Sequence, residues 1–156
     1  MPSSSPSENT TADPNRAVST VLSWLSVPMP KPCPCGKPLP FERCCGRFIH
    51  GGEAVPDAEH LMRSRYTAFV LRDEAWLLGT WHPTTRPTEL ALNEEPALQW
   101  LGLQVKHFDV QDTDHATVEF VARYKINGRA HRLHEISRFE RLDGHWFYRD
   151  GDLRET

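Results

Sequence analysis

Nowhere in this 156-residue chain do apolar residues run for the roughly 18–20 positions that a bilayer-spanning helix requires. Surplus positive charge is missing as well. Lys and Arg total 18 against 21 Asp and Glu, a formal net charge of −3, so nothing global recruits nucleic acid or an anionic membrane surface. The stretch "AVSTVLSWLSV" is mildly apolar, but no basic run stands at Met1 and no small-residue cleavage site follows. The expectation is therefore a cytoplasmic protein without a secretory signal. Cysteine is absent outside residues 33–45. A disulfide framework would spread its cysteines to close large loops and would belong to a secreted protein, so this pattern argues against one.

What remains is a composition of 38% hydrophobic and 25% charged residues, which suits one globular domain with a small appendage. The opening "MPSSSPSENTTADPNR" is rich in Ser, Thr, Pro and Asn and has no periodicity. Residues 1–30 are expected to be a disordered tail carrying a short, loosely docked helix.

The four cysteines read Cys33-x-Cys35, then eight residues, then Cys44-Cys45. A redox pair is more often a lone Cys-x-x-Cys beside a βαβ pattern, which is absent. Two close pairs joined by a short reversal supply four soft donors that can converge on one tetrahedral zinc ion. Pro34 and Gly36 favour a tight first turn, and "KPLP" favours a bend before Phe41. The spacing thus predicts a zinc-binding knuckle over residues 31–50, with one structural Zn2+ held by Cys33, Cys35, Cys44 and Cys45. "CPCGKPLPFERCCG" is similar to the zinc motif at the carboxyl terminus of the secretion ATPase SecA. Its inner stretch "GKPLPFER" has only Lys37 and Arg43 as basic residues, where family motifs are lysine-rich. The metal ligands carry over; the docking partner does not.

Beyond the knuckle, "VPDAEHLMRSRYTAFVLRD" predicts a helix capped by Asp57, with Glu59 in its first turn. Leu61, Met62, Tyr66, Ala68 and Phe69 fall on one side at 100° per residue, and Arg65 projects into that stripe. "EAWLLGTWHP" predicts a second short helix stopped by Pro83, with Leu77, Leu78 and Trp81 on one face. Residues 84–98 read as a loop. After Trp100 the apolar period becomes two, first over Leu101, Leu103 and Val105, then over Val118, Phe120, Ala122 and Tyr124. Asn127-Gly128 and Asp143-Gly144 are tight-hairpin signals that separate the last strands. The plan is α+β: helices first, then a meander of four antiparallel strands. In the third strand Leu133, Glu135, Ser137 and Phe139 share a face, which places Glu135 among apolar neighbours. Misplaced charges of opposite sign on elements expected to pack together suggest that Arg65 and Glu135 pair.

The stretches "DAEHLMRSRYTAFV", "TWHP", "WLGL", "FVARY", "HEISRFER" and "GHWFYRDG", taken in order, resemble the uncharacterised YchJ family. The resemblance implies that residues 53–152 form a nuclear-transport-factor-2-like (cystatin-like) cone, with helices packed on a curved antiparallel sheet and a cavity between them. It implies no established activity, because that fold hosts enzymes, binding modules and dimerisation domains alike.

Three functions compete. The first is a binding or adaptor module, with a protein partner on the zinc knuckle and a small-molecule ligand in the cavity. The second is an enzyme in which Glu135 or His82 acts as acid or base beside Arg65, Tyr66 and Trp81. The reading leans away from it, since four thiolates close the zinc site and Arg65 with Glu135 is more economically structural. The third is nucleic-acid binding through Phe41 and Phe48 with Lys31, Lys37, Arg43 and Arg47, a modest patch on an acidic protein. Related cavity domains often dimerise through the open sheet face, so a homodimer is a further expectation.

Overall fold

The computed structural model describes residues 31–155, and the expectations for residues 1–30 lie outside them. Lys31–Thr156 form one compact unit, so knuckle and cone are described together. A single 3-10 turn (Phe41–Arg43) and a four-residue helix α1 (Gly46–Ile49) belong to the knuckle. Two helices follow, α2 (Ala58–Leu71) and α3 (Glu74–Gly79). The strands are β1 (Leu98–Asp112), β2 (His115–Ile126), β3 (Arg129–Leu142) and β4 (His145–Arg154), in the order β1-β2-β3-β4, all antiparallel. No helix among the described residues is long and apolar enough to cross a membrane.

Local chemistry accounts for the boundaries. The Asp57 carboxylate accepts the His60 N–H at 2.8 Å and starts α2; Asp73 does the same for α3 through the Trp76 N–H at 3.0 Å. Asn127 and Asp143 adopt φ of 50° and 48°, each followed by a glycine at 80°, the paired left-handed residues of a tight hairpin. The Trp76 indole N–H donates to the Ser64 hydroxyl at 2.9 Å and fixes α3 against α2.

The helices cover one face of the sheet. Ala58, Leu61, Met62 and Tyr66 of α2 pack on Ala116, Val118, Phe120 and Ala122 of β2 and Phe139 of β3. Strand β1 departs from the simple alternation. It carries register shifts between Trp100 and Gly102, between Val105 and His107, and between Val110 and Asp112. The first shift turns Trp100 and Leu103 inward and leaves Leu101, expected on the core face, 39% exposed. The second brings Phe108 back to the core. Each bulge adds an unpaired residue and bends the strand, which is how a sheet curves around helices. A further shift between Arg138 and Phe139 bends the β3–β4 pair.

Candidate functional site

Two sites lie on opposite sides of α2. The first is the cysteine cluster. Cys33, Cys35, Cys44 and Cys45 are all buried and unbridged, and their Sγ atoms lie within 4.8 Å of one another. Four ligands about 2.3 Å from a tetrahedral ion would sit slightly under 4 Å apart, so the spread fits a single bound metal. The backbone explains the convergence. Cys33 N–H donates to Leu39 O at 2.7 Å and Gly36 N–H to Cys33 O at 3.1 Å, closing the first turn. Gly36 holds φ of 97°, a conformation that side chains rarely tolerate.

Gly46 serves by its size instead. A Cβ there would stand 2.7 Å from Phe41 O and against the Phe41 ring. Gly46→Ala is expected to cost roughly 1–3 kcal/mol by forcing Phe41 off the α1 backbone. A thermal melt equal to wild type would contradict that tight approach.

Helix α2 completes the cluster. The Thr67 hydroxyl donates to Cys45 Sγ at 3.3 Å and lies 3.7 Å from Cys33 Sγ, while Arg63 donates to Cys35 O at 2.9 Å. Both residues lie one turn apart on the helix and are missed by sequence reasoning, because a polar residue on a helix reads as solvent-facing. Burial, reinforced by the neighbouring Cys35, pushes the Cys44 thiol up to about 12. Hydrogen bonds with Cys33 and Cys35, then burial, push Cys45 up as well. Four thiolates cannot share so small a dry volume without a cation, a charge that a bound metal ion would supply.

The second site is a cavity of about 250 Å3 between α2 and the sheet. Met62, Phe69, Trp100, Phe120, Leu133 and Phe139 give it apolar walls. The polar side chains among its lining residues are Arg65, Tyr66, Trp81, Glu135, Ser137 and Tyr148. Four of the five residues expected here, Arg65, Tyr66, Trp81 and Glu135, thus line one space.

His82 does not. After α3 the chain is stitched to β4, with His82 N–H donating to Tyr148 O at 2.7 Å and Tyr148 N–H to Thr80 O at 2.8 Å. Neighbouring residues of an extended segment point to opposite sides. Trp81 therefore enters the cavity, and His82 faces Glu140, with Nε2 3.2 Å from Oε1. Its Nδ1 accepts the Thr84 N–H at 3.1 Å.

The expected Arg65–Glu135 pair is also not a contact. Arg65 is 5% exposed, and its Nη1 donates to Leu77 O and Thr80 Oγ1, both at 2.8 Å. Among the described residues no carboxylate comes within 4.0 Å of it. Its guanidinium carbon lies 4.5 Å from the centre of the Tyr148 ring and 4.9 Å from that of Trp81. Glu135 Oε2 accepts from Ser137 at 2.5 Å and from the Tyr148 hydroxyl at 3.2 Å. Tyr148 touches both charges, which feel each other across it. Its place was legible in the alternation of "HWFYRDG", although the sequence reading drew nothing from it.

Burial pushes Tyr66 up to about 12, and burial followed by the Glu135 charge pushes Tyr148 higher still. The folded state keeps these protons to higher pH than the unfolded chain, whose tyrosines ionise near 10. This stability is complete below pH ~10 and is lost as pH rises toward 12. Tyrosinate absorbance should accordingly appear together with loss of tertiary circular dichroism. Full ionisation of all tyrosines near pH 10 in a folded protein would contradict the burial.

Comparison with known proteins now decides the family. Residues 57–151 match the model described as the YchJ middle NTF2-like domain. The chain belongs to the YchJ family. A UPF0225 protein of Ralstonia nicotianae is 58% identical, the match covering 82% of this chain and 97% of that relative. One from Bordetella parapertussis is 56% identical over 80% of this chain and 95% of its own length. The solution structure of a SEC-C motif containing protein from Rhodopseudomonas palustris aligns with a TM-score of 0.71 at 30% identity, over 80% of this chain and all of that one. A crystal structure of a SEC-C motif containing protein from Psychrobacter arcticus gives 0.65 at 27% identity, over 81% and 84%. Both of these solved neighbours are SEC-C motif containing proteins of the same fold.

Proposed function

We propose that this YchJ-family protein is a non-enzymatic binding module, in which a structural zinc knuckle presents a surface to a protein partner and the cone's cavity takes a small ligand. The observation that carries the reading is the cluster of four buried thiols within 4.8 Å of one another. Soft thiolate donors in that number favour zinc, and they fill its shell, leaving no position for a reacting water. The cavity supports the same reading. His82, an acid or base in the enzyme alternative, is turned to Glu140, and the Oε2 oxygen of Glu135 is engaged by two hydroxyls. A nucleic-acid role draws little support, because Phe48 is 3% exposed and cannot stack on a base, and Arg47 lies 3.3 Å from Glu53.

The purified protein should carry about one zinc per chain by elemental analysis. A metabolite library should contain compounds that raise its melting temperature without being converted. Turnover of any hit, abolished by Glu135→Gln, would replace this reading with an enzyme. A metal-free protein with four reactive thiols would remove the zinc.

A further inference from the structure

The cavity's polar atoms are specific enough to name a ligand class. Arg65 is buried in an apolar wall, yet its recorded hydrogen bonds go to two neutral oxygens and all leave from Nη1. A buried guanidinium calls for an anion, and its planar fork matches a carboxylate. The Trp81 indole N–H on the same wall is buried and has no acceptor. Buried donors are matched in nearly all native structures, so this one also awaits an oxygen. The guanidinium carbon lies 4.9 Å from the Trp81 ring centre, so the two residues are neighbours on that wall.

Glu135 offers the complementary charge. Ser137 and Tyr148 both donate to Oε2, and no protein donor reaches its other oxygen among the described residues. The carboxylate occupies the space that a side chain at Gly151, on the neighbouring strand, would fill. One positive and one negative group thus face a single apolar space of about 250 Å3, room for a small molecule and too little for a nucleotide. A simple anion would meet the charge of Glu135, and a simple cation that of Arg65. A zwitterion satisfies both.

We propose that the cavity binds a free α-amino acid with a large apolar side chain, its carboxylate held by Arg65 and the Trp81 N–H and its ammonium by Glu135. This rests on the reading of the cavity as a binding site and is independent of the knuckle. Calorimetry on the full chain as purified would use L-phenylalanine, L-leucine and L-methionine, with 3-phenylpropionate and 2-phenylethylamine as probes lacking one charge each. At least one amino acid should bind, and both single-charge probes should bind tenfold or more weakly than L-phenylalanine. Trp81→Phe should weaken the amino acid and 3-phenylpropionate alike. Glu135→Gln should weaken the amino acid by about tenfold and leave 3-phenylpropionate unchanged or tighter. Gly151→Ala, which displaces the carboxylate while keeping its charge, should act like Glu135→Gln if that variant proves unstable.

Equal affinity for L-phenylalanine and 3-phenylpropionate would overturn the proposal, as would the absence of binding by all three amino acids. In the latter case, a melting shift with another metabolite class would leave the binding-module reading standing. No shift with any metabolite would sink both this proposal and the reading of the cavity as a binding site.

Discussion

A chain carrying Cys44→Ser and Cys45→Ser should purify without metal, lose all protection over residues 31–50, and melt well below wild type. Structural thiolate sites contribute on the order of 10 kcal/mol to ordering the segment that forms them. The knuckle has little else to hold it, since beside the cysteines its one large buried apolar side chain is Phe48, and Phe41, Ile49 and Leu103 pack only partly buried against the cluster. The effect should not stop at residue 50. Thr67 would lose its sulfur acceptor and Arg63 its carbonyl, exposing the outer side of α2. Hydrogen exchange should therefore show α2 loosened while β2 and β3 keep their protection, because their core is made with Val118, Phe120 and Phe139. Metal binding should also release protons, since Cys44 and Cys45 are held protonated in the metal-free cluster and must ionise to ligate. Calorimetry in two buffers of different ionisation enthalpy reads that release directly. Unchanged melting and exchange in the double variant would mean that the cluster folds without metal.

Features fixed by a few neighbouring residues were legible in the sequence. Asp57 caps its helix through its own carboxylate, as expected, and the Asn-Gly and Asp-Gly pairs turn because of left-handed φ values that those residue types accept. The cysteine spacing belongs to the same kind, four donors within a reach set by two short turns. What failed depended on longer geometry. Alternation in β1 was read without its bulges, so Leu101 was assigned to the wrong face. His82, expected beside Trp81, points away from it because the chain past Thr80 is extended and pairs with β4. The Arg65–Glu135 argument identified two charges lining one cavity, but a one-dimensional pattern could not show that Tyr148 reaches both. Thr67 illustrates the remaining limit: nothing local distinguishes a hydroxyl aimed at sulfur from one aimed at water.

Arg65→Met should lower stability by about 2–4 kcal/mol, roughly 8–16 °C in melting temperature for a unit of this size. The guanidinium satisfies the Leu77 carbonyl inside the fold, and leaving a buried acceptor without a donor costs about 1–3 kcal/mol. It also lies against the faces of Trp81 and Tyr148, contacts worth up to about 2 kcal/mol when desolvated. Relief of the desolvation that brings Arg65 down to about 10 offsets part of this loss, so the sum stays below the gross contacts. Arg65→Lys should fall between the two, since an ammonium keeps the charge but neither lies flat between rings nor reaches both acceptors. Glu135→Leu should cost less, because Glu135 is half-buried and is held by two neutral hydroxyls. The cycle through Arg65→Met and Glu135→Leu separates a shared cavity from an ion pair. Two charges that communicate through Tyr148 should couple by about 1 kcal/mol or less, whereas a direct buried pair couples by about 3–5 kcal/mol. A coupling in that upper range would show that the side chains close on each other in solution. If Arg65→Met melts like wild type, the guanidinium contributes nothing to the fold, and any role it has must lie in what the cavity binds.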